Sequence, residues 1–409
     1  MARNPREATQ PRVSAFTGLN NVADPLDVGL GGQVQADNVI VTKDQHLRRM
    51  QGYVLSVDGT AIAGAYATKD FTRLYVIDSG SLLQVYDDLS TRALRTGLSD
   101  GDYHFDEVNG VVFYTNGTDY GTITSGGAGS WGIAAPDAAE LSVGNAGTLR
   151  AGTYQFVCTL VDPSGLESSN SDVAYVDVGD GARITVNIPQ VDGYTTNVYV
   201  ATPADPVFCL MLEAAGPVAT FDDQYDLGTE LPFWNLNPPR GILPTYFAGK
   251  MHTAEYDPVS DTTTIWNSLP LQYHHFDPGA EGVIIPGEVR QMLAMRDSDF
   301  FASERLTQRG IGAAMIVGTD REIYSYDEEQ LVLLAPYGIL PGHHAVEYRG
   351  KVYMWTLRGM VRALPFENLT EKTVSVAPGV SAAGTVIEQA GAHRYVVALH
   401  KGGEAFNHL

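Results

Sequence analysis

The chain has 409 residues, 44% apolar and only 18% charged, a composition that buries a sizeable core and excludes intrinsic disorder. Its formal net charge of −22 excludes a groove built to grip nucleic-acid phosphates, which needs clustered Lys and Arg. Two cysteines exclude a disulfide-stapled scaffold, no run approaches the ~18 apolar residues that span a bilayer, and Met1 to Pro11 lacks a signal-peptide apolar core.

The opening, Gly18-Leu-Asn-Asn-Val22, then Gln35-Ala-Asp-Asn-Val39, then Leu47-Arg-Arg-Met-Gln-Gly-Tyr53, reads as an extended arm, a short strand and a basic turn. Arg48 and Arg49 have two readings. They pair with carboxylates such as Asp37 or Asp44, or they dock the arm on a neighbouring subunit, since the guanidinium fork takes a carboxylate with two hydrogen bonds.

Short apolar runs broken by turn residues follow, a β pattern. One unit recurs as strand, tight turn, strand: Leu74 to Tyr86, Gly110 to Ile123 with an Asn116-Gly117 turn, Lys250 to Asn267, Ala314 to Tyr326 and Lys351 to Leu364. Arg290 to Phe301 and Arg394 to Phe406 are further candidates. The spacing outside the middle segment is roughly 40 residues, near the period of propeller blades. Helical candidates are confined to Pro286 to Arg296 and Phe301 to Arg309.

Residues 136–236 differ. They carry 14 Asp/Glu against 2 Lys/Arg, and Gly152 to Val161 alternates apolar and polar before an Asp162-Pro-Ser-Gly165 turn. Runs at Asp172–Val178, Arg183–Ile188 and Thr196–Ala201 continue the pattern, the spacing of an immunoglobulin-type sandwich. The run from Gly152 through Asp162-Pro-Ser-Gly-Leu-Glu-Ser168 resembles fibronectin type III-like modules. The expected fold is therefore all-β: a degenerate β-propeller with an inserted immunoglobulin/fibronectin III-like sandwich, a stack of β-sandwiches being the competitor. The divisions are 1–52 (arm and first strand), 53–135 (propeller, first part), 136–236 (sandwich) and 237–409 (propeller, second part). Cys158 and Cys209, both in the sandwich, are expected as free thiols.

The search for chemistry yields little. His274-His275 and His343-His344 are adjacent pairs, and a strand sends adjacent side chains to opposite faces, so neither pair is expected to share a metal. Each reads as one packed ring beside one solvent-facing ring. Asp222, Asp223 and Asp226 lack the pattern of a calcium loop, and Asp257 to Asp261 reads as a hairpin turn. No nucleophile elbow, P-loop or dinucleotide fingerprint is present. No enzyme activity, metal or cofactor is expected.

The residues of the arm, Gly-Leu-Asn-Asn-Val, Gln-Ala-Asp-Asn-Val and Leu-Arg-Arg-Met-Gln-Gly-Tyr, resemble the N-terminal signature of tail nozzle (tail tubular protein B-like) proteins of short-tailed bacteriophages. Gly249 to Pro270 and Gly350 to Gly359 are similar to that family's blade hairpins. Asp44-Gln-His46 stands where the family often has Gly, and the chain is short for a nozzle. The resemblance implies a structural virion protein of the tail. It would form a homo-oligomer, a hexameric ring below the portal-side adaptor, that meets tail fibres or a needle and lets viral DNA exit without specific binding. Asn20, Asn21, Asn38, Arg48 and Arg49 are the candidate assembly contacts. Two other readings remain at this stage: a host-surface glycan-binding or glycan-cleaving propeller, with the four Trp dispersed by strand position, and an adhesin in which only the acidic sandwich binds.

Overall fold

A computed structural model describes residues 15–29, 31–36, 39–49, 58–222, 226–232, 236–277, 279, 282–295, 314–363, 365–376, 379–389 and 392–401. Asp37, Asn38, Trp234 and the helical candidate Phe301 to Arg309 lie outside them. The described residues form strands and turns with no helix, and the chain divides into two compact units, Met1–Asp58 with Pro286–Leu409, and Gly59–Ile285.

The first unit opens with β1 (Gly18–Leu19) and β2 (Gly32–Gln33), a parallel pair, then β3 (Val39–Val41) and β4 (Leu47–Arg49), an antiparallel hairpin.

The second unit begins with two four-stranded antiparallel meanders. The first is β5 (Ile62–Ala67), β6 (Leu74–Asp78), β7 (Ser81–Val85) and β8 (Thr91–Thr96); the second is β9 (His104–Val108), β10 (Val111–Thr115), β11 (Tyr120–Thr124) and β12 (Gly127–Gly129). They share a core of Tyr75, Ile77, Leu82, Tyr103, Val112, Tyr114 and Ile123.

The middle segment then supplies β13 (Glu140–Leu149), β14 (Gly152–Val161), β15 (Ala174–Val178), β16 (Ala182–Asn187), β17 (Thr195–Thr202), β18 (Asp205–Leu212) and β19 (Val218–Phe221). These make a three-stranded sheet, β13-β16-β19, and a four-stranded sheet, β15-β14-β17-β18. One core joins both: Phe156, Cys158, Val198 and Val200 from one sheet meet Ile184, Val186 and Phe221 from the other. Alternation drives this, since residues two apart on a strand share a face. Cys158 and Cys209 are both free thiols. Burial pushes the Cys158 thiol up to about 12.

A third meander returns in β20 (Ile242–Phe247), β21 (Lys250–Asp257), β22 (Thr262–Leu269) and β23 (Gln272–Phe276), with β24 (Val283–Pro286) also pairing to β22. Trp131 is fully buried where this sheet meets β10. It donates from Nε1 to the Tyr273 carbonyl at 2.8 Å and packs edge-on against Phe113 and Phe276. Trp266 lies on the same aromatic cluster, so these two tryptophans are not dispersed as their strand positions led us to expect.

The first unit resumes with β25 (Val289–Ala294), β26 (Met315–Thr319), β27 (Ile323–Tyr326) and β28 (Leu331–Ala335), then β29 (Val346–Tyr348), β30 (Lys351–Thr356), β31 (Gly359–Ala363) and β32 (Glu367–Asn368). Both are four-stranded antiparallel meanders. A two-stranded hairpin, β33 (Ser381–Gln389) and β34 (Ala392–His400), follows.

Two expectations need correction. Of Pro286 to Arg296, read as a short helix, Val289–Ala294 is strand: Met292 pairs with Val317 and Ala294 with Met315. Cross-strand burial outweighs its weak helical propensity. Of the unit expected over Arg394 to Phe406, the part up to His400 pairs with β33, and residues 402–406 lie outside the described residues. Asn116-Gly117 is not a two-residue hairpin turn. It sits in a longer one, with the Asn116 Oδ1 accepting from the Thr118 and Asp119 amides.

The two-residue turns are elsewhere. Ser79-Gly80, Asn109-Gly110, Ala248-Gly249 and Arg349-Gly350 each have φ near +50° then +70 to +80°, the type I′ geometry whose twist matches antiparallel strands.

Candidate functional site

The arm is built from short-range bonds. Thr17 donates to the Gly31 carbonyl and Asn20 to the Gln33 carbonyl, both at 2.7 Å. The Asn20 side chain caps its own turn, Oδ1 accepting from Val22 and Ala23 at 3.3 and 3.1 Å. Asn21 does something different. Its backbone N–H reaches the Thr373 carbonyl at 3.0 Å, its Nδ2 donates to the Ser375 carbonyl at 2.9 Å, and the Ser375 amide donates to its Oδ1 at 2.7 Å. An asparagine amide presents a donor and an acceptor side by side and so mimics a strand edge. The arm is thus clamped to a segment more than 350 residues along the chain. Both asparagines spend their side chains within the chain.

The β3–β4 hairpin follows. Thr42 and His46 close its turn, and the Phe16 amide donates to Gln45 at 2.9 Å. Arg394 of β34 extends a guanidinium to the Val41 carbonyl at 3.4 Å. Leu47, Arg48 and Arg49 are all exposed. Among the described residues neither arginine makes an ion pair, and Asp44 is not their partner. Consecutive strand residues point to opposite sides, so the two guanidiniums serve two directions and not one fork. Of the five candidate contacts, Arg48 and Arg49 are free for a partner, Asn20 and Asn21 are engaged, and Asn38 lies outside the described residues.

The histidine pairs divide. His343 is exposed and His344 buried, in the bend that precedes β29. His344 Nε2 faces the Leu340 carbonyl at 2.7 Å, and the Trp355 amide donates to Nδ1 at 3.1 Å. Only the neutral Nε2–H tautomer satisfies both bonds, and burial holds its pKa down to about 4.

His274 and His275 depart from expectation. Neither ring is solvent-facing, and their centroids lie 3.9 Å apart. A register shift between β22 and β23 next to them breaks strict alternation. Burial, then the neighbouring His275, lowers His274 to about 4. His275 Nε2 lies 2.8 Å from the Glu167 carbonyl and so ties β23 to the segment between β14 and β15.

That contact reveals an element the sequence concealed. Ser168, Ser169, Asn170 and Ser171 are all buried. Ser168 and Ser171 donate backbone bonds to the Leu160 and Cys158 carbonyls, and their hydroxyls accept from the Leu160 and Cys158 amides. A serine-rich run therefore seals the stretch of the β14 edge that β15, paired only to Gly152–Phe156, leaves open. The Glu167 carboxylate beside it accepts from Thr159, Tyr199 and Asn197. All three bonds fall on its Oε1.

Among the described residues no three His, Cys, Asp or Glu side chains gather as a metal-ligand set. Asp257 accepts from Val259 and Ser260 and closes a turn, as expected. Trp266 lines a small cleft of about 90 Å³ with Arg240, Phe276 and Asp277, its Nε1 bonded to Glu255 at 2.7 Å.

No protein-family model matches the sequence, and no curated protein matches it either. Among solved structures, BBS1N in complex with ARL6DN is similar at 14% identity and a TM-score of 0.28, over 79% of this chain and 84% of that one. Drosophila Semaphorin 1a, extracellular domains 1–2, is similar at 11% identity and a TM-score of 0.23, over 75% and 86%. Similarity at this level carries no weight for fold or function.

Proposed function

We propose that this protein is a structural component of a short-tailed bacteriophage tail, assembling as a ring through which DNA exits. The four-stranded meanders are read as blades of a degenerate β-propeller, and the paired sheets of the middle segment as a fibronectin III-like insertion. The observation that carries the reading is the arm. The residues resembling the tail nozzle signature are the ones that clamp residues 18–33 onto Thr373–Ser375 and leave Arg48 and Arg49 exposed on a hairpin. Such an arm presents a preset hairpin to an acidic neighbour, and every copy of this chain is acidic at −22. The same charge would keep DNA from adhering to a lumen, within a Debye length of roughly 8 Å.

The test is the oligomeric state of the full chain, alone and with its tail partners, by native mass spectrometry and particle imaging. Rings are expected from the wild type. An Arg48→Glu/Arg49→Glu variant should remain monomeric with an unchanged melting temperature, because both side chains are exposed. A wild type that stays monomeric with all partners present, or rings that persist in the variant, would falsify the reading.

A further inference from the structure

In a chain with 48 acidic and 26 basic residues, one polar pocket of the second unit is lined by two arginines and no carboxylate. Its volume is about 220 Å³, and its walls are Arg73, Gln84, Tyr86, Arg92 and Leu94 with the Thr124–Gly127 turn. Register explains the convergence. Tyr75 pairs with Gln84, and Gln84 with Arg92. Arg73 and Tyr86 lie two residues from Tyr75 and Gln84 and so share their face. The β11–β12 turn closes the pocket from the adjoining sheet.

Structural duties do not use up these groups. Arg95, the neighbouring arginine of β8, binds the two meanders by donating to the Tyr114 hydroxyl and the Tyr120 carbonyl. Arg92 has no such role: among the described residues it makes neither a hydrogen bond nor an ion pair, and the side chains of Gln84 and Ser125 make no hydrogen bond. The Tyr75 side chain, then Asp70 and Glu107, raise the Arg73 pKa, and neither carboxylate lines the pocket. Those carboxylates are engaged elsewhere, Asp70 by Thr68 and Thr72 and Glu107 by the Lys69 amide.

Two guanidiniums in a concave wall suit an oxyanion, which they bind with paired, charge-assisted bonds. An unpaired amide and a hydroxyl suit vicinal hydroxyls. Tyr86, 41% exposed, offers a ring face for stacking. The volume lies below the roughly 300–1,000 Å³ of drug-sized sites and fits one sugar ring. We propose that this pocket binds a carboxylated monosaccharide unit, with Arg73 and Arg92 on the carboxylate, Gln84 and Ser125 on ring hydroxyls and Tyr86 beneath the ring. The site reaches beyond the ring assignment and does not depend on it.

The experiment is calorimetric or ligand-observed NMR titration of the full-length protein with sodium glucuronate. Glucose serves as the ring without charge and inorganic phosphate as the charge without ring. Glucuronate should bind at least about tenfold more tightly than either. Arg92→Gln and Arg73→Gln should each weaken it about tenfold, the loss of one charge-assisted contact. Both side chains are exposed, so the variants should melt with the wild type. Tyr86→Ala keeps both charges and should weaken glucuronate while leaving phosphate unchanged. No binding of glucuronate, equal binding of phosphate, or affinity indifferent to both arginine substitutions overturns the proposal.

Discussion

Replacing Asn21 by alanine removes two of the three bonds that clamp the arm, Nδ2 to the Ser375 carbonyl at 2.9 Å and the Ser375 amide to Oδ1 at 2.7 Å. The backbone bond to Thr373 survives. A net hydrogen bond contributes about 0.5–1.5 kcal/mol. Asn21 is exposed and water replaces part of each bond, so the pair together should stabilise docking by about 1 kcal/mol, the low end of that range doubled. Local opening should then rise about fivefold. Hydrogen exchange reads this directly, because the Ser375 amide loses its acceptor and the Asn20 amide loses a clamped neighbour. Both should exchange about fivefold faster, while amides of β26 and β30 keep their wild-type protection and the melting temperature holds. Asn20→Ala makes the contrast, since its side chain caps only Val22 and Ala23, and Ser375 should be unaffected. If the Ser375 amide exchanges at the wild-type rate in Asn21→Ala, the clamp does not hold the arm.

Acid should destabilise the fold through its buried histidines. His274 and His344 are neutral in the folded state, each lowered to about 4 by burial from an ordinary 6.5. Below pH 6.5 the unfolded chain takes up protons that the folded chain refuses, so stability is full above 6.5 and falls as pH drops toward 4. Thermal melts across that window should show the decline, and His274→Phe should flatten it; an unchanged slope refutes the assignment. Cys158 is buried with its thiol raised and Cys209 is half-buried, so a thiol reagent should label one site fast in native protein and both in denaturant, with no disulfide by mass. Trp131→Ala should cost about 3–5 kcal/mol in chemical denaturation, since it empties a fully buried site and strands the Tyr273 carbonyl.

The hairpins were legible because a strand writes its period in side chains and a turn in Gly and Asn. Leu74 to Val85, Lys250 to Leu269 and Lys351 to Ala363 emerged close to their expected limits. What sequence concealed was pairing at a distance. Ser168 to Ser171 has the composition of a loop, and only the unfilled edge of β14 makes it a buried edge segment. Pro286 to Arg296 looked helical because its own letters do not reveal that β26 lies beside Val289–Ala294. Asn21 was legible as important, but its bonds to Ser375 were not, since no pattern near residue 21 points to residue 375. Arg73 and Arg92 went unmarked for the same reason: their shared face exists only once β6, β7 and β8 are in register.

The type I′ turns have a consequence for descent. Their first positions hold Ser79, Asn109, Ala248 and Arg349, four chemistries in one left-handed conformation, while the second is glycine each time. The backbone thus demands one small residue per turn and leaves its neighbour to drift. Copies of such a unit can diverge in almost every letter and still close the same ribbon, so ancestry in this chain is better sought in the placement of single glycines than in shared words.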